Sequence, residues 1–97
     1  MNYISNAFSL GMVRPEHLHL VRLQPVSGPD ADCVSIVGHA DTAAALGVAF
    51  NRASVTLEPG DTLFVAQLQG GRLPEGCKTL PEGFSFTWVK VTLAPTS

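Results

Sequence analysis

The sequence predicts an α/β fold, a single small domain in which a mixed sheet of five to six strands carries helical cover on one side. Three observations predict it. Short runs alternating apolar and polar residues recur between turn-forming clusters, as half-buried strands require. One alanine-rich stretch, Ala40 to Phe50, has the composition of a helix and falls between the third and fourth runs. The 97 residues can fill one hydrophobic core but not two, so 1–97 reads as one domain with 95–97 frayed.

Tyr3-Ile4 opens a first strand that must end near Asn6, because Asn6-Ala7-Phe8-Ser9 and Gly11 follow and Pro15 forbids an uninterrupted helix. His17 to Val26 sets Leu18 and Leu20 on one face against His17 and His19 on the other. Val21 and Leu23 carry this run into a second strand, and Pro25 ends it or marks a sheet edge. Beyond the turn chemistry of Ser27 to Asp32, Cys33 to Val37 reads as a short buried strand. In the helical stretch Leu46 and Phe50 stand four apart on one face, with Gly38-His39 at the entry. Ala53 to Leu57 and Thr62 to Leu68 flank Glu58-Pro59-Gly60-Asp61. Proline second and glycine third suit a type II turn, so this pair reads as a β-hairpin. Phe84 to Leu93 alternates aromatic and β-branched residues with Ser, Thr and Lys, a last strand with one buried face.

Composition narrows the function. The chain is 45% hydrophobic and only 14% charged, which argues against disorder and leaves room for a buried subunit interface. A net charge of −2 with six Lys and Arg argues against duplex nucleic acid, whose many phosphates need many cations. A small anion needs only two or three. No apolar run is long enough to span a membrane, and Met1 to Ser9 lacks the basic start and apolar centre of a signal peptide. No membrane partner and a cytoplasmic address are expected, in a prokaryotic cell or a virus-infected host. Cys33 and Cys77 form no CxxC pair and are expected to be packing residues rather than a disulfide.

Three places carry candidate chemistry. His17 and His19, two apart on the expected strand, share a face at metal-ligand spacing, but two ligands without a third make two surface histidines. His39 stands at the helix start, where free backbone N–H groups favour an anion and lower the ring's proton affinity. A bound phosphate reverses that bias and loads a general acid, although position alone fits a helix lead-in equally well. In Gly70-Gly71-Arg72-Leu73-Pro74-Glu75-Gly76 the glycines let backbone approach a ligand, and Arg72 offers paired planar donors to a phosphate oxygen. Glu75 can accept a hydrogen bond or hold a nucleophilic hydroxyl. A surface turn with a local Arg–Glu pair fits the same residues.

Taken in order, Tyr3-Ile4-Ser5-Asn6-Ala7-Phe8-Ser9, Gly38-His39-Ala40-Asp41-Thr42-Ala43, Asn51-Arg52 and Arg72-Leu73-Pro74-Glu75-Gly76 resemble the viral anti-CRISPR ring nucleases and their cellular members, the CRISPR ring nucleases. The resemblance runs from Tyr3 to about Val91. It implies a two-fold homodimer that binds cyclic tetra-adenylate, the second messenger of type III CRISPR immunity, and cuts it without metal or other cofactor into linear di-adenylate. It also implies His39 as general acid to the 5′-oxygen leaving group, Arg72 as stabiliser of phosphoryl charge and Glu75 as orienting group or proton acceptor. The nucleophile is then a ribose 2′-hydroxyl, leaving a 2′,3′-cyclic phosphate. Asn6, Ser9, Gly38, Asn51, Arg52, Gln67 and Gly71 match positions lining the ligand pocket. A two-fold dimer presents one His39, Arg72 and Glu75 set to each of two opposite linkages of a symmetric ring and doubles the cations around it.

The resemblance departs at three points. Gly11 stands where some relatives carry asparagine, the segment after Glu75 lacks an inserted helix, and Gln67 lies one residue farther from Arg72. Two other classes compete with cleavage: a protein that binds a cyclic oligonucleotide without cutting it, and a pure interaction module. His39 and Glu75 favour cleavage, because binding alone needs the cations more than a proton donor.

Overall fold

The computed structural model describes residues 1–77 and 79–95. Five strands are present: β1 (Asn2–Ser5), β2 (Val21–Val26), β3 (Val34–Ser35), β4 (Thr62–Gln69) and β5 (Ser85–Leu93). Among the described residues a single α-helix, α1 (Ala40–Leu46), follows β3, and two 3-10 segments, Leu10–Met12 and Pro15–Leu20, precede β2. The strands form one mixed sheet in the order β2-β5-β4-β1-β3. β1 runs parallel to both β3 and β4, whereas β5 is antiparallel to β2 and β4. The carboxyl ends of β1, β3 and β4 therefore open at one end of the sheet, where ligand crevices of α/β folds arise.

Strand alternation splits the sheet into two apolar faces. Leu63, Val65, Val91 and Leu93 share one face and pack with Val13, Leu20, Ile36 and Leu57 in the main core. Phe64 and Ala66 are buried on the other, the face that meets α1, where Ala43 is the helix's buried residue. Helical cover lies on one side as expected, and the 3-10 segments and the chain leading to Leu57 close the second face. Leu57 is 0% exposed, a burial worth about 1.5–3 kcal/mol.

Four local expectations are corrected. His17 and His19 do not lie on a strand: Pro15 stands at the first turn of a 3-10 run, with its φ already set for a helical start, and β2 begins only at Val21. At about three residues per turn, positions two apart point away from each other. His17 turns inward to within 3.8 Å of Glu58 while His19 is exposed. α1 stops at Leu46 because Gly47, at φ 72°, caps it in the left-handed conformation. Phe50 thus leaves the helix and bridges Val37.

Cys33 to Val37 yields only a two-residue strand, Val34–Ser35, although Ile36 and Val37 are buried. The 53–57 segment does not pair with β4, whose two edges are taken by β1 and β5. Its Leu57 N–H bonds Met12 O at 2.7 Å instead. The turn itself forms as expected, with Asp61 N–H to Glu58 O at 2.9 Å and Gly60 at φ 96°. Pro25 lies on β2, an edge strand, as its missing N–H requires. Of the expected frayed tail, Thr96 and Ser97 lie outside the described residues.

Candidate functional site

His39 is held by a short braced segment. Beyond β3, Val37 accepts from the Asn51 N–H at 2.8 Å, and Ser35 O accepts from the Asn51 carboxamide at 2.9 Å. Arg52 Nε reaches Gly38 O at 3.4 Å. His39 itself is the N-cap of α1, in extended conformation at φ −127° and ψ 119°. Its Nδ1 accepts from the Thr42 N–H at 3.4 Å and lies 3.3 Å from Thr42 Oγ1. This engagement assigns the proton of the neutral ring to Nε2, because an accepting Nδ1 carries none. On protonation the Thr42 hydroxyl can turn to accept from Nδ1, so the ring keeps a partner in either state.

Arg72 and Glu75 come from the loop joining β4 to β5. The final strand pair is Gln69 with Ser85. Immediately beyond it Gly70 takes φ 109°, and a Cβ there would sit 2.6 Å from Gly83 O. Only glycine lets the two arms of the loop meet this closely. Pro74 to Cys77 forms a turn closed by Cys77 N–H to Pro74 O at 3.1 Å, with Gly76 at φ 78° in its third position. The Gly76 N–H donates to Asp41 Oδ2 at 3.0 Å, tying the turn to the first turn of α1.

A cleft of about 220 Å³ results, lined by Asn6 at the end of β1, His39 and Thr42 from α1, Arg72 and Leu73 from the loop, and Ala66, Leu68 and Phe86 from the sheet. It continues into a second hollow between His39, Asp41, Arg72 and Glu75. An imidazole, a guanidinium and a carboxylate thus share one continuous depression over an apolar floor. That set can donate a proton, neutralise an anion and accept a proton.

A family model described as STIV B116-like matches residues 2–83. The chain belongs to the STIV B116-like family. Among solved structures, B116 of Sulfolobus turreted icosahedral virus superposes with a TM-score of 0.73 at 17% identity, covering 94% of this chain and 97% of the viral chain. At that identity the likeness speaks for the fold, which the two share. No curated protein sequence matches the chain.

In this B116-like fold the expected site residues separate into three groups. Asn6, His39 and Arg72 line one cleft, with Glu75 in its continuation and Gly71, at φ 113°, at the start of the loop. Gly38, Asn51 and Arg52 brace the segment carrying His39. Both ends of the Asn51 carboxamide are engaged, since its Oδ1 also accepts from the Ala53 N–H at 3.1 Å. Arg52 lies over the Phe50 ring, 5.8 Å from its centroid.

Ser9 and Gln67 lie elsewhere. Ser9 lines a hollow with Ser5, Ala53 and Ser54. Gln67, one residue out of phase with Ala66 and Leu68, points to the opposite face beside Leu23 and Val89. The alternation along β4 carried that signal.

Sequence reasoning missed Thr42, Phe86 and Asp41 as parts of the site. Thr42, three residues after an N-cap, and Phe86, in phase with Leu68 across β4 and β5, were legible in principle. Asp41 was not, because its partner is a backbone N–H brought close only by the loop's path. Elsewhere, among the described residues, no three His, Cys, Asp or Glu side chains converge as a metal site would require. Cys33 and Cys77 are free thiols. Burial first, then the carboxylates of Asp30 and Asp32, push the Cys33 thiol above its ordinary range.

Proposed function

We propose that the protein is a ring nuclease that cuts cyclic tetra-adenylate into linear di-adenylate, using its own side chains rather than a metal, and so switches off type III CRISPR signalling. The observation carrying this reading is the shared cleft of Asn6, His39 and Arg72, with Glu75 beside it, drawn from three separate segments. A ribose 2′-oxygen attacks the adjacent phosphorus as the P–O5′ bond breaks. The departing 5′-oxygen takes the Nε2 proton of the His39 imidazolium, which returns to the neutral ring, and a 2′,3′-cyclic phosphate is left. Arg72 meets the charge gathering on the phosphoryl oxygens, and the Glu75 carboxylate accepts the proton that the 2′-hydroxyl gives up as it attacks.

The symmetry of the ring supports the homodimer. Each copy carries one set of His39, Arg72 and Glu75, enough to address one linkage. Two copies about a two-fold axis then address two opposite linkages, and two cuts yield two identical halves. Membership of a family named for a viral protein fits an anti-defence role in a virus-infected host. The test incubates labelled cyclic tetra-adenylate with the purified protein in excess chelator, beside His39→Ala. Di-adenylate from the parent alone is expected. A ring that is bound but never cut by the parent points to a binding protein instead.

A further inference from the structure

We infer that Asp41 is a positioning residue, holding the Arg72–Glu75 loop over His39. The role of that loop rests on the function proposed above, but the hold itself does not. The loop from Gly70 to Phe84 is long for a β-hairpin connection, and its arms are pinched where Gly70 meets Gly83. Beyond the pinch, Gly71 and Gly76 both occupy positive φ, at 113° and 78°, and a Cβ added at either would meet nothing within 4 Å. Neither steric contact nor side-chain bulk at these positions confines the loop.

A hydrogen bond ties it down. Among the described residues, Gly76 N–H to Asp41 Oδ2 at 3.0 Å is the hydrogen bond linking the 71–77 segment to the rest of the fold. Its donor lies in the turn just after Glu75, and its acceptor lies two residues beyond His39. The two halves of the cleft are therefore fixed to each other through a carboxylate and a backbone amide. The turn geometry makes this possible, because Gly76 in the third position aims its amide out of the turn.

Asp41 is ill suited to touching substrate. It lines the same hollow as Arg72 and Glu75, where a second bare carboxylate would repel a phosphate. With one oxygen committed to the Gly76 amide it acts through the loop instead. An amide oxygen offers an acceptor in the same place, so Asp41→Asn keeps the hold and Asp41→Ala loses it.

Two readouts on the full-length protein test this. One is hydrogen exchange at the Gly76 amide together with tryptic nicking after Arg72; the other is cleavage of cyclic tetra-adenylate. Asp41→Ala should raise exchange and nicking about tenfold, the worth of one surface hydrogen bond, with Asp41→Asn near the parent. In cleavage, Asp41→Ala should lower kcat more than it raises KM, and Asp41→Asn should restore it.

Unchanged Gly76 exchange in Asp41→Ala overturns the inference, as does an Asp41→Asn loop as loose as that of Asp41→Ala. If the loop loosens as expected while the parent leaves the ring intact, the hold stands and the ring-nuclease reading fails. A loosened loop with unchanged kcat would show that the hold does not position the reacting groups.

Discussion

Replacing Gly70 by alanine should unsettle the loop base far more than the same change one residue later, and the pair isolates a steric term from a conformational one. Both glycines hold positive φ, 109° at Gly70 and 113° at Gly71. Each alanine variant therefore carries a backbone strain of about 1–3 kcal/mol. At Gly71 the added methyl meets nothing within 4 Å, so that strain is the whole effect. At Gly70 it would lie 2.6 Å from Gly83 O, 3.0 Å from Phe84 Cα and 3.2 Å from the Phe84 ring. Two of these neighbours are backbone and cannot rotate aside.

Forcing the arms apart adds about 1–3 kcal/mol, as overpacking does elsewhere. For a domain of this size each kcal/mol moves the melting temperature by about 4–8 °C. Gly70→Ala should therefore melt roughly 4–24 °C below Gly71→Ala. Thermal denaturation followed by circular dichroism on the parent and both variants measures the gap. Equal melting temperatures for the two variants would refute the pinch between Gly70 and Gly83.

The other predictions concern the cleft and the thiols. His39→Ala should lower the cleavage rate by roughly 10²–10⁴-fold with little loss of ring binding, as removal of a general acid does, and equal loss of both would make His39 a contact residue. Arg72→Ala should weaken binding and rate together, measured by equilibrium binding beside single-turnover cleavage. Thr42→Val removes the hydroxyl 3.3 Å from His39 Nδ1 and should slow single-turnover cleavage about tenfold, a hydrogen bond's worth, without weakening binding. Cys33 holds its thiol proton to higher pH than an ordinary cysteine. Its alkylation should therefore be slower than that of a free thiol at neutral pH and rise only as pH passes its raised pKa, as mass spectrometry of iodoacetamide-treated protein would show.

Legibility in the sequence followed the range of the forces involved. Alternation and turn chemistry placed the first strand, the last two strands and the turn at Pro59-Gly60, because these depend on neighbours along the chain. The reading of 53–57 as a hairpin arm failed because pairing is a contest for edges, and β1, far away in sequence, had taken the edge of β4. His17 and His19 were misassigned because Pro15 starts a 3-10 run that overrides the apparent alternation, leaving Leu18 exposed while Leu20 is buried. His39 and Arg72 were legible as chemistry. Their meeting in one cleft depends on the parallel pairing of β1 with β4 and on the loop's return to α1, which no local pattern encodes.

The central claim is that His39 donates the proton to the departing 5′-oxygen, and substituting sulfur for that oxygen in cyclic tetra-adenylate tests it most directly. A thiolate leaves without protonation, so the acid becomes dispensable for that linkage. Single-turnover cleavage of the sulfur-substituted ring by His39→Ala should come within about tenfold of the parent, against a deficit of roughly 10²–10⁴-fold on the natural ring. A variant that remains as slow on the sulfur ring as on the natural one would contradict the assignment of His39 as the acid.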